Sequence, residues 1–300
     1  MTTPSGFRIA AAQYDIGYFQ SWDHYVAKLE QWTAAAVNGG AQLLVYPEYA
    51  SLELVSIFHA RTGADSAARL HELQHYHDAY VRLHQDLSRK HQVYIVAGSF
   101  PTRADETLFY NRAYILSPRG EVEYQDKLHM TRYEAEHGRI TPAEKVKVFK
   151  TSLGTFAVDL CYDAEFPLPA RLQVEAGATL LIVPSCTDSL AGYHRVRIGC
   201  QARALENQCY VVQAATVGNA DWSDAVDINI GAAALYAPPD DGFPDTGVVT
   251  IGELNAPRWV FGEIDHCKID SVRAKGSVLN HRDSMRQRRF GTLQAEHILF

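Results

Sequence analysis

The chain predicts an α/β (α+β) protein built as a two-sheet α-β-β-α sandwich, and three observations carry that prediction. Short apolar runs of strand length alternate with longer helical patterns along the whole sequence. At least one clear hairpin signal lies among them, so the strands do not all run parallel. The chain has 300 residues, of which 47% are hydrophobic, enough to bury a large core as one α/β unit.

In chain order, Phe7 to Gln13 reads as a strand, and Trp22 to Val37 as a helix with Asp23 in its first turn. Leu43 to Tyr46 is a second strand. A helical pattern from Ser66 to Lys90 precedes a strand at Val93 to Ala97. Phe109 to Leu116 and Glu121 to Gln125 flank Ser117-Pro118-Arg119-Gly120, whose Pro and Gly mark a hairpin turn. Val146 to Phe149 and Thr155 to Leu160 are expected strands around the turn Ser152-Leu153-Gly154. Helices follow at Pro169 to Ala176 and Arg195 to Asn207, with strands at Thr179 to Val183 and Tyr210 to Ala214. Ala232 to Tyr236 and Gly247 to Glu253 complete the strands. There is no internal repeat and no low-complexity tract.

Composition narrows the function. A net charge of -7 leaves no basic surplus to neutralise phosphates, so a nucleic-acid partner is not expected. No run of eighteen apolar residues indicates a membrane span. Met1 to Gly6 is short and polar and lacks the charged-then-apolar pattern of a signal peptide. Five cysteines, an odd number with no C-x-x-C, point to a reduced, cytoplasmic protein.

Three segments carry chemistry. In Ala157-Val158-Asp159-Leu160-Cys161 an apolar strand delivers a thiol into the polar turn Tyr162-Asp163-Ala164-Glu165-Phe166-Pro167, which cannot continue the strand. A thiol on such a bend has backbone N–H groups nearby to face a reacting carbonyl. Leu43 to Tyr46 ends in Pro47-Glu48, where a partly desolvated carboxylate would have its pKa raised toward that of a general base. Lys127 follows the third such strand; an ammonium near a thiol favours thiolate and stabilises an oxyanion. Singly, these are a structural cysteine and two strand-end charges. Together they form a Glu/Lys/Cys set.

The same segments resemble the nitrilase superfamily of carbon–nitrogen hydrolases, over nearly the whole chain from Arg8 to about Asp265. The resemblance rests on Pro47-Glu48, on Lys127 with His129, and on Cys161 with Asp163, Phe166 and Pro167 as C-x-D-x-x-F-P. Gly177 to Ser185 and Ala202 to Asn207 match later family segments, G-A-x-x-x-x-x-P-S and R-A-x-E-N. The chain departs from the family at Leu168-Pro169, where many members have a glutamate after F-P. Members also carry a second glutamate soon after the lysine. Glu134 and Glu136 both lie within range, and Glu134, directly after Tyr133, is the preferred one.

The resemblance implies a two-sheet sandwich of the nitrilase type over residues 1–265. It also implies a thiol hydrolase that cleaves a non-peptide C–N bond of a small amide through a Cys161 thioester. Glu48 would be the base, Lys127 and the Tyr162 backbone N–H the oxyanion donors, and Glu134 the partner of Lys127 or of the substrate amide. No cofactor or metal is implied. Tyr162-Asp163 after the nucleophile favours an amidase over a nitrilase, since true nitrilases tend to place Trp-Glu there. An N-carbamoyl amino acid amidohydrolase is the near alternative and needs an arginine for the substrate carboxylate: Arg132, Arg171, Arg195 and Arg197 are candidates. A catalytically silent scaffold would lack a member of the set. A redox-sensing thiol would need a resolving cysteine, for which Cys186, Cys200 and Cys209 are available.

Three features stand apart. His71-Glu72-Leu73-Gln74-His75 matches the zinc pattern H-E-x-x-H, but a helical projection gathers Leu73, Tyr76, Tyr80, Leu83 and Leu87 on one face and turns His71 and His75 to the wet side. These histidines are expected to be solvated. Residues 266–300 are basic and weakly periodic, which suits a mobile tail or an arm on a second subunit. Relatives commonly assemble, so a homodimer or larger homo-oligomer is expected. Tyr193, His194 and Trp222 follow strand ends and are candidates for pocket lining.

Overall fold

The computed structural model describes residues 5–63 and 65–299. Residues 1–4 of the N-terminal reading, and the Arg288 side chain of the basic tail, lie outside the described residues. The chain runs β1 (Gly6–Asp15), α1 (Trp22–Asn38), β2 (Leu43–Tyr46), α2 (His59–Thr62), α3 (Ser66–Leu73), α4 (His77–His91), β3 (Tyr94–Arg103), β4 (Phe109–Leu116) and β5 (Val122–Asp126). It continues through α5 (Arg132–Glu136), β6 (Phe149–Thr151), β7 (Gly154–Val158), α6 (Pro167–Glu175), β8 (Leu180–Ser185), α7 (Leu190–Asn207) and β9 (Tyr210–Asn219). β10 (Ile228–Asn229), β11 (Ala234–Tyr236), β12 (Val248–Ile251), β13 (Arg258–Asp265), α8 (His266–Lys275) and α9 (Asn280–Ser284) complete the described elements.

The strands form a mixed sheet, β5-β4-β3-β2-β1-β9-β8-β7-β6, with β13 beside β1 and β11-β12 beside β9. It curls into two facing halves. They are joined where the last residues of β1, Gln13 to Asp15, pair with Ala215 to Val217 of β9. Alternation of side chains then makes the layers. Phe7, Ile9 and Ala11 of β1, Leu43 and Val45 of β2, and Leu180 and Ile182 of β8 all point into one shared core between the halves. Ala10, Ala12 and Tyr14 of β1 and Leu44 and Tyr46 of β2 point outward, against Tyr25 and Leu29 of α1 and Tyr80 and Leu87 of α4. On the other side Ala157, Leu181, Val183 and Val211 meet Val174 of α6 and Val196 and Ala204 of α7. The order of layers is α-β-β-α, as the sequence predicts.

Several elements differ from expectation, each for a local reason. The 66–90 helix is broken at Gln74–Tyr76, a tight 3₁₀ turn. There Gln74 spends its amide on the β3 edge, donating to Pro101 O (2.8 Å) and accepting from Arg103 N (3.1 Å). Val146 to Val148 is not a strand, because Gln125 takes the backbone bonds a strand would make: it donates to Lys145 O and accepts from Lys147 N. β13 escaped the sequence reading because Gly262 interrupts its apolar pattern. A Cβ there would meet the Leu235 side chain at 2.4 Å. The basic C-terminal segment begins on the body: Ile269 and Val272 of α8 are buried, and Arg273 donates to Gln208 O (2.9 Å). From Gln287 onward the described side chains are exposed.

Candidate active site

Glu48, Lys127 and Cys161 lie just past the carboxyl ends of β2, β5 and β7. Cys186 lies just past that of β8. The curl brings these four ends together. Gly98 makes the approach of Glu48 possible: it bulges β3 at a φ of +70°, and a Cβ there would stand 2.1 Å from Pro47 O. After β7 the backbone turns left-handed at Cys161, φ +49°, and enters a 3₁₀ turn (Cys161–Glu165) leading into α6. This is the strand-to-helix bend expected for a nucleophile. Gly199 of α7 lets that helix sit against the turn, since a Cβ would meet Ala164 O at 2.7 Å.

Asp163 explains the C-x-D and K-x-H spacing. Its Oδ1 accepts from His129 N (2.7 Å) and lies 3.0 Å from His129 Nδ1, and its Oδ2 accepts from Leu128 N (3.1 Å) and Leu160 N (3.2 Å). One buried carboxylate therefore ties the lysine segment to the cysteine turn. Phe166 stacks on His129 at 4.0 Å, and the bond to Asp163 raises the His129 pKa.

Lys127 is the hub. Its Nζ donates to Glu48 Oε1 (2.8 Å) and to Glu134 Oε1 (2.8 Å) and Oε2 (2.7 Å), all in a site only 1% exposed at the lysine. Burial works against the ammonium, but the carboxylates of Glu48 and Glu134 outweigh it and hold its pKa well above the ordinary value. The two glutamates are treated unequally. Glu134 also accepts from Tyr49 OH (2.6 Å) and from Thr131 N (2.9 Å) and Oγ1 (3.0 Å). Its burial is thereby overcome, chiefly by Lys127, and its pKa is lowered. Glu48 has fewer donors: Asn111 Nδ2 (2.8 Å) and Lys127 on Oε1, and Cys186 N (3.1 Å) on Oε2. Burial dominates there, against Lys127 and with repulsion from Glu134, and raises its pKa to about 7. Two neighbouring carboxylates are thereby pushed apart, one held ionised and the other brought near neutrality.

The Cys161 thiol donates to Cys186 O at 3.4 Å, interacts with the Glu48 carboxylate, and is only 4% exposed. Burial, reinforced by Glu48 and only partly offset by Lys127, holds its pKa well above the usual thiol value. Glu136, the other glutamate within range, is instead on the surface with Arg132 (2.9 Å). The signal separating them was legible: Thr131-Arg132-Tyr133-Glu134 is a capping box, which turns Glu134 inward at the start of α5. Tyr162 is half-buried, edge-on to Phe166. Sequence reasoning missed Thr131, which the capping box could have shown, and Asn111, Tyr49 and the Cys186 N–H, for which no spaced motif was read.

These groups surround a cavity of about 340 Å³, lined among others by Glu48, Lys127, Glu134, Cys161, Tyr162 and Cys186. Arg132 and Arg195 stand at its mouth. Arg171 is elsewhere, bonded to Glu175, Asn207 and His281 O, and Arg197 neighbours Tyr193. The pocket expectation for Tyr193, His194 and Trp222 is corrected. Tyr193 is buried in α7, His194 is exposed, and Trp222 packs edge-on against Tyr18 at 5.2 Å. Asp224, Ala225 and Asp227 from the same loop as Trp222, with Ile228 at the start of β10, line the cavity instead. In the H-E-x-x-H segment, His71 Nδ1 accepts from Arg103 (3.1 Å), and His75 is exposed beside Glu72. Cys186 Sγ donates to Asn229 Oδ1 (3.3 Å), while Cys200 and Cys209 are buried in the outer layer with α6 and α7.

The chain has relatives among known proteins. The carbon–nitrogen hydrolase family model matches residues 8–244. The chain is 33% identical over 279 residues to the probable hydrolase YhcX of Bacillus subtilis (strain 168), covering 93% of this chain and 54% of that protein. It is 29% identical over 205 residues to the deaminated glutathione amidase of Yersinia enterocolitica, covering 64% of this chain and 68% of that one. The chain thus spans about half the length of the Bacillus relative. Among solved structures, a mutant amidase from Nesterenkonia sp. AN1, with the acetamide moiety of fluoroacetamide joined to its active-site cysteine, superposes with a TM-score of 0.70 at 20% identity. The match covers 98% of this chain and 100% of that one. The chain belongs to the carbon–nitrogen hydrolase family.

Proposed function

We propose that this chain is an amidase that cleaves the C–N bond of a small amide through a thioester on Cys161. The observation that carries the reading is the unequal treatment of two carboxylates around one lysine beside a buried thiol. Because burial disfavours a resting thiolate, Glu48 takes the Cys161 proton as sulfur attacks the amide carbon. The C=O π pair becomes an oxyanion, held by the Lys127 ammonium and the Tyr162 backbone N–H. Glu48 returns the proton to the leaving nitrogen, the C–N bond breaks, and ammonia or an amine departs. Water then gives a proton to Glu48 and attacks the thioester, releasing a carboxylic acid and restoring the thiol. A pKa of about 7 suits a group that must both accept and return a proton near neutrality. Glu134, kept ionised, holds Lys127 in place.

The charge around the mouth supports the amide reading over the carbamoyl one. Arg132 and Arg195 each face a carboxylate already, Glu136 (2.9 Å) and Glu165 (3.6 Å). Asp188 and Asp227 line the same cavity without an ion-pair partner among the described residues. A substrate carboxylate would meet net negative charge there. Ammonia release from primary amides, N-carbamoyl amino acids and nitriles, with wild type beside Cys161→Ala, tests both statements. The expected result is Cys161-dependent release from neutral and cationic amides, faster than from carboxylate-bearing compounds. Release from carbamoyl compounds alone, from nitriles alone, or unchanged release by the Ala variant would overturn the reading.

The same reading includes a homo-oligomer. Leu168 and Leu172 of α6 and Ile198 and Leu205 of α7 are exposed on the outer layer, with Ile198 at 64%. Sedimentation should give at least twice the 33.5 kDa chain mass; a monomer at micromolar concentration would contradict it. No helix among the described residues is long and apolar enough to cross a membrane, and all five cysteines are unpaired. A reducing cytoplasm suits a thiol nucleophile, a placement that cell fractionation tests.

A further inference from the structure

Asn111 lies in β4, fully buried, opposite Pro101 of β3, and it does not line the catalytic cavity. Its backbone carbonyl accepts from Lys127 N (2.9 Å), so the strand that carries it also sets where the lysine starts. Its Nδ2 donates to Glu48 Oε1 (2.8 Å) and to Glu134 Oε1 (3.2 Å). Those are the two oxygens on which the Lys127 ammonium also sits, each at 2.8 Å. Only the amide NH₂ can face two carboxylates, which defines the side-chain orientation. The arrangement has a cost: Asn111 Oδ1 is buried with no hydrogen-bond partner among the described residues.

A carboxylate oxygen offers two in-plane lone pairs. On Glu48 Oε1, one faces Lys127 and the other Asn111. Oε2 accepts from Cys186 N (3.1 Å), and the Cys161 thiol, which also interacts with this carboxylate, points at the carbonyl of that same residue (3.4 Å). We propose that Asn111 is a positioning residue: by saturating Oε1 of Glu48, it leaves Oε2, on the Cys186 side, as the oxygen that takes the Cys161 proton. This rests on Glu48 being the base of the proposed reaction. Being neutral, Asn111 also braces two carboxylates against each other without disturbing the charge of the site. The charged and titratable groups facing Glu48 are Lys127, Glu134, Cys161 and Cys186, with Tyr49 bonded to Glu134.

The test is the pH dependence of Cys161 alkylation by iodoacetamide, followed by peptide mass, together with kcat and KM for the best amide. In wild type the alkylation rate should rise with pH through about 7. In Asn111→Leu, which cannot donate, the midpoint should move up by about one pH unit and the rate at pH 7 fall about tenfold, because a donor to the charged form is lost. The loss should appear in kcat, with KM little changed, since Asn111 does not line the cavity. A folded Asn111→Leu protein with an unmoved midpoint would overturn the proposal. If that variant does not fold, Asn111→Ser, which keeps one donor, should show a smaller upward shift, and none would again overturn it. Normal alkylation behaviour without hydrolysis of any amide would defeat the amidase reading and leave the role of Asn111 standing.

Discussion

Glu48→Gln is expected to lower kcat/KM for the amide substrate by about 10²–10⁴-fold, the range lost with a general base. In wild type, kcat/KM should rise with pH on an acid limb centred near pH 7, because the base must be ionised and its pKa is raised to about 7. The variant should lack that limb. A residual activity that still follows it would assign the limb to another group. Stability should move the other way. A carboxyl whose folded pKa lies above its unfolded value costs nothing below pH 4.5 or so. The cost grows between there and about pH 7 and stays constant above. Glutamine removes that cost, but its Nε2 meets the Cys186 N–H, losing the bond that Oε2 accepts. The difference in melting temperature, Gln minus Glu, should therefore be larger at pH 8 than at pH 5, by a few degrees. Thermal unfolding at the two pH values measures it. An equal difference at both would mean that Glu48 is not desolvated as the structure has it.

Lys127→Met should be the most damaging single change to the fold as well as to turnover. It keeps the length of the side chain but strands two buried carboxylates, Glu48 and Glu134, beside each other with only Asn111 between. Breaking one partner out of a buried ion pair costs about 3–5 kcal/mol, and here a single cation serves two anions. The wild-type Glu134 has a lowered pKa, so its contribution is present at neutral pH and lost as pH falls through the acid range. In the variant the sign reverses: with the cation gone, both carboxyls have raised pKa values, and lowering the pH relieves the repulsion by protonating them. Urea denaturation at pH 5 and pH 8 should show the variant more stable at pH 5. Equal or greater stability at pH 8 would rule out the charge network described here.

Much of the fold was legible because burial imposes periods. β1 and β2 send alternate residues to the inner core and to the α1 face, and because both faces are buried β2 is visible in the chain as the unbroken apolar run Leu43 to Tyr46. The elements that escaped are those where a side chain or a glycine substitutes for the pattern. Gln125 takes the backbone bonds of residues 145–147, Gly262 interrupts β13, and Gln74 stops a helix that its neighbours would continue.

The site divides the same way. The sequence by itself marked the strand ends of the candidate site, since Pro47-Glu48 and Cys161 follow apolar runs that have to be buried and Lys127 follows a strand-like one. It determined the bend at Cys161 through the charges and proline that end the strand, whereas the tie of Asp163 to the lysine segment emerged only in the fold. Only the tertiary structure decided that Glu48 is the carboxylate pushed toward neutrality and Glu134 the one held ionised. That difference comes from donors on other elements: Tyr49 beyond β2 and Thr131 at the start of α5 serve Glu134, Cys186 beyond β8 serves Glu48, and Asn111 on β4 is shared by both. Periodicity reports burial along one segment. The ionisation of a buried group depends on what the rest of the chain brings to within hydrogen-bond distance, which no single segment encodes.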